Sequence, residues 1–147
     1  MRPISISAYF DTLSKSQRVY ARFLEPVCRN WDLTRSELDV LLFLYNNPEF
    51  DRAADIAAHR GMAKSHVSAS VAGLERRQLL VRSASASDRR AVRLKLTPQA
   101  IRIAETGRQA QQTFFEQLYA GLDPQQLQLW ETITNKVRRN IEDLDRG

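Results

Sequence analysis

Between Ala54 and Pro98 the sequence permits very few folds. Asp55-Ile56-Ala57-Ala58-His59-Arg60-Gly61 reads as a short helix of small residues closed by a glycine turn. Lys64-Ser65-His66-Val67-Ser68-Ala69-Ser70-Val71-Ala72-Gly73-Leu74-Glu75-Arg76-Arg77 follows with apolar residues at helical spacing. Leu79 to Ser83 and Ala91 to Leu96 are then two short strands, the second alternating Val92, Leu94 and Leu96 with Arg93 and Lys95. Their small-residue tip, Ala84-Ser85-Ala86-Ser87, leads into Asp88-Arg89-Arg90. Helix, glycine turn, helix and hairpin in that order make a winged helix-turn-helix.

The flanks are helical. Ile6, Tyr9, Phe10, Leu13, Tyr20, Phe23, Leu24 and Val27 recur at amphipathic spacing, and Asn30 and Trp31 mark the end of that first helix. Thr34-Arg35-Ser36-Glu37 fits a capping box opening a helix through Leu44 or Tyr45, with Asn46-Asn47-Pro48 stopping it. Asp51 is the expected N-cap of a helix from Arg52 to Arg60, and the next helix is expected to run from Lys64 to about Gln78. Thr97-Pro98 and Asp123-Pro124 each pair an N-cap with proline at the first helical position, where its missing N–H is harmless. The helix between them should close near Ala120 and Gly121, and the last carries a stripe of Leu127, Trp130, Ile133, Val137, Ile141 and Leu144. The expected fold is mainly α with a small β-hairpin wing. All 147 residues form one domain, with a DNA-binding lobe over 34–97 and dimerisation helices over 1–30 and 98–147. A lone lobe buries one face of each terminal helix; pairing two chains through the first, fifth and sixth helices covers the rest.

Charge placement narrows the class further. Nine cationic side chains from Arg60 to Lys95 stand against Glu75 and Asp88, leaving that segment at +7 in a chain of net charge +5, so the remainder sums to −2. A basic excess confined to the winged segment suits a surface that meets phosphates. No run approaches the ~20 apolar residues of a membrane span, and the first residues lack a signal-peptide core, so a cytoplasmic location is expected. The single cysteine, Cys28, with only His59 and His66 beside it, supplies neither a disulfide nor a metal ligand set. With no nucleophile paired to a base and no Gly-rich phosphate loop, neither an enzyme nor a cofactor is expected.

At about 100° per residue, Val67, Val71 and Leu74 share one narrow sector of their helix and must face the core. Opposite lie Ser65, Ala69, Ala72 and Arg76, flanked by His66, Ser68 and Gly73. Small side chains let a helix settle into a major groove, Ser and His reach base edges or phosphates, and Lys64 in the first turn adds a phosphate contact. The expected DNA-binding set is Lys64, Ser65, His66, Ser68, Ala69, Arg76, Arg89 and Arg90. An arginine on the hairpin tip can enter a narrow minor groove while the neighbouring Asp88 braces the other; either arginine fits either role.

Residues from about Thr34 to Ala100 resemble the multiple antibiotic resistance regulator (MarR) family. Asp88-Arg89-Arg90, the Leu79-Leu80-Val81-Arg82 strand and the Leu94-Lys95-Leu96-Thr97-Pro98 exit carry the resemblance, and the flanking helices match that family's dimerisation layout. Where the family wing often has an extra acidic residue and a Pro or Gly, Ser85, Ala86 and Ser87 stand here. The resemblance implies that Arg89 enters the minor groove, with Asp88 and Arg90 stabilising the wing. It also implies a homodimer on a pseudo-palindromic operator in double-stranded DNA, acting as a repressor released by a small aromatic or amphipathic effector bound between the dimer helices and the DNA-binding lobes. Tyr9, Phe10, Tyr20, Phe23, Trp31, Phe43 and Tyr45 lie on helices expected to line such a cavity, but most read as core or interface, and no effector-binding residue is assigned. Some relatives sense peroxide through a cysteine near the start of the first helix. Cys28 lies near its end, where the helix dipole disfavours a thiolate, so it reads as a buried, inert thiol. The competing reading is a winged protein-interaction module with an incidental basic face.

Overall fold

A computed structural model describes residues 5–84 and 92–147. The described residues form six helices and one two-stranded sheet, the mainly α architecture with a hairpin expected from the sequence. The chain divides into two compact units, Met1–Gln112 and Thr113–Gly147.

In the first unit, α1 (Ile6–Trp31) begins at Ser5, whose hydroxyl accepts from the Ala8 N–H at 3.3 Å. It ends where Asp32 turns left-handed (φ 51°) and the Leu33 N–H reaches back to the Cys28 carbonyl at 2.9 Å. The Thr34 capping box forms as the sequence predicts: the Glu37 N–H donates to Thr34 Oγ1 at 3.1 Å and the Thr34 N–H to Glu37 Oε1 at 2.9 Å. It opens α2 (Arg35–Asn46), where Leu38, Val40, Leu41, Leu42, Phe43 and Leu44 are all buried. A helix buried on nearly every side is the centre of its unit.

The start of α3 (Ala53–Arg60) corrects one expectation. Arg52 is the N-cap, Asp55 Oδ2 accepts its N–H at 3.2 Å, and Asp51 lies outside the helix. The Asp51 carboxylate instead accepts from Arg93 Nη1 at 3.0 and 3.1 Å, and its carbonyl accepts the Leu94 N–H at 2.7 Å. Gly61 closes α3 at φ 62°, a backbone region that glycine enters without strain. The next helix, α4 (Lys64–Arg76), stops two residues short of Gln78, which is left-handed at φ 60° and turns the chain into the sheet.

Strand β1 (Leu80–Ala84) pairs antiparallel with β2 (Val92–Leu96), placing Leu80 opposite Leu96 and Arg82 opposite Leu94. Leu94 is buried and Leu96 half-buried while Arg93 and Lys95 are exposed, as the alternation predicts, but Val92 at the start of β2 is exposed. Thr97 Oγ1 accepts the Ala100 N–H at 3.3 Å and starts α5 (Pro98–Leu118). A Cβ on Gly107 of α5 would stand 2.8 Å from Leu42 Cδ2, so glycine lets this helix lie close against α2. Gln111 extends the contact: it donates to Tyr20 Oη at 2.7 Å and accepts from Asn46 at 3.0 Å, linking α5 to α1 and α2.

In the second unit, Phe114 packs edge-on against Phe115 and Tyr119 stacks on Phe115. Gly121 (φ 85°) turns the chain, and the Asp123 capping box opens α6 (Pro124–Arg146) with Pro124 in its first turn. No α6 residue is buried: Leu127, Trp130, Ile133, Val137, Ile141 and Leu144 all remain exposed.

Candidate nucleic-acid interface

The inner face of α4 follows the angular expectation: Val67 and Val71 are 1 % exposed and Leu74 0 %. Ser70 joins them, widening the buried seam. On the other side Lys64, Ser65, His66, Ser68, Ala69 and Arg76 are exposed and Ala72 is half-buried. The angular split separates packing residues from a small, polar and basic outer face.

That outer face is shared with the start of α2, a neighbour that local sequence does not reveal. His66 Nε2 lies 2.8 Å from Ser36 Oγ, so a hydrogen bond orients the imidazole. The Glu37 carboxylate reaches α4 as well: a Cβ on Gly73 would be 2.9 Å from Glu37 Oε2, so glycine there leaves room for the capping carboxylate. Thr34, Glu37, His66, Ala69, Ser70, Gly73 and Arg76 line a cleft of about 300 Å³ between the two helices. The capping box locates the α2 terminus in the sequence; its position beside α4 is a tertiary fact.

The basic segment is not one uniform field. Arg77 Nη1 donates to the Asp32 carbonyl and Nη2 to the Trp31 carbonyl, both at 2.6 Å. Arg82 pairs with Glu75 at 2.6 Å and Arg93 with Asp51 at 3.0 Å. These three arginines are engaged within the fold. Lys64 and Arg76, both exposed, form no ion pair among the described residues. Asp88, Arg89 and Arg90, the expected wing residues, lie outside the described residues.

Two more of the hollows among the described residues lie on this unit. One, about 510 Å³, is lined by Gln17, Tyr20, Arg35, Asp39, Arg60 and Met62. In it the Arg35 guanidinium sits 4.9 Å over the Tyr20 ring, and its Nε donates to Asp39 at 2.9 Å. The other, about 410 Å³, runs from Tyr45 and Pro48 to Arg93, Leu96 and Ile101. Of the remaining aromatics singled out above, Phe43 is buried, Phe23 and Trp31 half-buried, and Tyr9 and Phe10 exposed. His59 packs its ring 4.4 Å from that of Phe50. Cys28 is half-buried, and its thiol pKa is raised, first by burial and then by Asp39 and Glu25; Arg35 opposes them. Among the described residues no His, Cys, Asp and Glu side chains gather into a metal-binding group, and no helix is long and apolar enough to cross a membrane.

A family profile described as MarR family matches residues 31–91. Over those residues the chain is similar to the MarR family. The match spans the capping box of α2, both helices of the helix-turn-helix and the first strand, the same elements that build the α2–α4 face. Solved structures extend the likeness in fold to nearly the whole chain. Transcriptional regulator PA3341 is 22 % identical with a TM-score of 0.80, over 92 % of this chain and 98 % of that one. MepR of S. aureus, solved as a DNA complex, is 20 % identical with a TM-score of 0.75, over 93 % and 96 %. BpsR of Bordetella bronchiseptica, in a structure concerned with regulation of its DNA binding by 6-hydroxynicotinic acid, is 19 % identical with a TM-score of 0.69, over 93 % and 98 %. The chain therefore shares the fold of these regulators.

Proposed function

We propose that the protein is a homodimeric, sequence-specific DNA-binding transcriptional regulator, a repressor released by a small molecule. The observation carrying this reading is the outer face of α4, where Lys64, Ser65, His66, Ser68, Ala69 and Arg76 are exposed above a buried seam of Val67, Ser70, Val71 and Leu74. A face with small side chains at its centre and cations at its ends fits a major groove of ~12 Å width. On this reading residues 34–97 are the DNA-binding lobe, and Arg89 enters the minor groove while Asp88 and Arg90 steady the wing. The MepR–DNA complex supports it, since that protein shares the fold.

The segments 1–30 and 98–147 join two copies. Support comes from the exposed Ile6, Tyr9, Phe10 and Leu13 of α1 and the fully unburied apolar stripe of α6. The effector is a small aromatic or amphipathic compound, and the hollow lined by Gln17, Tyr20, Arg35, Asp39, Arg60 and Met62 has the size to admit one. BpsR, whose DNA binding is regulated by 6-hydroxynicotinic acid, supports effector control. By changing the spacing of the two recognition helices, a bound effector keeps both from sitting one DNA turn apart.

Selection from a pool of random DNA duplexes tests the reading. The protein is expected to enrich a two-fold symmetric sequence. A pool that stays random would instead favour a protein-interaction module.

A further inference from the structure

Two adjacent arginines end the recognition helix, and the fold separates them. Arg76 is the last residue of α4 and lines the cleft with His66, Ala69 and Gly73. Arg77, one position on, has left the helix (φ −87°, ψ 5°), and its guanidinium meets the end of α1. The acceptors are backbone carbonyls at a helix C-terminus, where unpaired C=O groups and the helix dipole concentrate negative partial charge. The Leu33 N–H already occupies the Cys28 carbonyl, and the Trp31 and Asp32 carbonyls take the two arms of the fork at 2.6 Å each. A planar fork held at two points fixes orientation as well as distance, which a lysine ammonium cannot do.

We propose that Arg77 is a positioning residue that clamps the C-terminal end of the recognition helix to the end of α1, setting the angle at which α4 is presented to DNA. The proposal rests on the DNA-binding reading and adds to it a residue that touches no DNA. It assigns neighbouring arginines different consequences. Losing a phosphate contact weakens binding to all sequences alike and reduces the salt dependence by about one ion. Losing a positioning contact instead degrades the fit to the preferred sequence and leaves the salt dependence intact, because no phosphate charge is lost.

The test uses two probes, a duplex selected from a random pool by the parent protein and a random-sequence duplex of equal length, each titrated at several salt concentrations. Arg77→Ala is expected to lose about tenfold on the selected duplex and less than about twofold on the random one, at unchanged salt slope. Arg77→Lys, restoring the charge but not the fork, should recover only part of that loss. Arg76→Ala should weaken both probes and flatten the slope. In the free parent protein, nitrogen NMR should show the Arg77 Nη groups in slow rotation, a signature of the two-point clamp that needs no variant to fold. A slope flattened by Arg77→Ala as by Arg76→Ala makes Arg77 a phosphate contact and overturns the proposal; so do freely rotating Nη groups, or unchanged affinity for both probes. A pool that yields no preferred sequence overturns the DNA-binding reading and this proposal together. A preferred sequence bound equally by parent and Arg77→Ala overturns this proposal alone.

Discussion

Arg76 and Arg77 carry the same guanidinium but meet different surroundings, and composition cannot tell them apart. The charge count of the winged segment treats nine cations as equivalent; the fold engages Arg77, Arg82 and Arg93 internally and leaves Lys64 and Arg76 without an ion pair among the described residues. Asp51 shows the same limit from the acidic side. An aspartate just ahead of a helix reads as an N-cap, but Arg93, 42 residues away, holds its carboxylate. Local rules cannot anticipate a partner supplied by a later strand. Cys28 was legible only in part: its place near the end of α1 predicts a buried, inert thiol, whereas the fold leaves it half-buried beside Arg35, Asp39 and Glu25. Its raised pKa sets a direction for pH. Between the free thiol value of about 8.5 and the higher folded value, the unfolded chain loses its proton while the native chain keeps it, so this group makes stability fall as pH rises through that window. Near pH 8 the native protein should react with a disulfide reagent more slowly than the urea-unfolded chain; equal rates would contradict the burial that raises the pKa.

At the scale of elements, helices declared by their caps were the most legible. Thr34, Thr97 and Asp123 each mark a start that the hydrogen bonds reproduce. Helix ends were less so: α4 stops at Arg76 because Gln78 adopts a left-handed backbone, which no glycine or asparagine announces. Close approaches between elements were invisible, since a glycine within a helical pattern does not reveal what it faces. Gly73 faces the tip of the flexible Glu37 side chain, whereas Gly107 faces Leu42, a fully buried core residue. Replacing Gly107 with alanine gains about 1 kcal/mol of helix propensity but forces a methyl into a packed core, at a cost of about 1–3 kcal/mol. The expected net result is a loss of about 1 kcal/mol in urea unfolding; a stabilised Gly107→Ala variant would show that α5 and α2 are not packed so tightly.

Across the whole molecule, buried and exposed apolar surfaces divide sharply. The core around α2 contains Leu24, Leu38, Leu41, Leu42, Ile56, Leu74 and Ile103, each at most 1 % exposed. The α6 stripe remains open, with Trp130 at 51 % and Ile141 at 52 % exposed. Exposed apolar rows of that length mark an association surface, and a second copy of the chain is the occupant proposed above. A double substitution, Ile133→Glu with Val137→Glu, places two carboxylates on the stripe without touching the buried core. By sedimentation it should be monomeric where the parent is dimeric, and its DNA affinity should fall with the lost second half-site; a parent that sediments as a monomer would remove the dimer from the account. The winged core and its α4 face were legible in the sequence because periodicity separates Val67, Val71 and Leu74 from the rest. The part played by Ser36 and Glu37 was not, because it depends on how α2 docks. The central claim, that this face recognises a particular DNA sequence, is tested most directly by the ratio of affinities for the selected duplex and for random duplex at physiological salt. The account predicts a ratio of at least about a thousand; a ratio near one would contradict it.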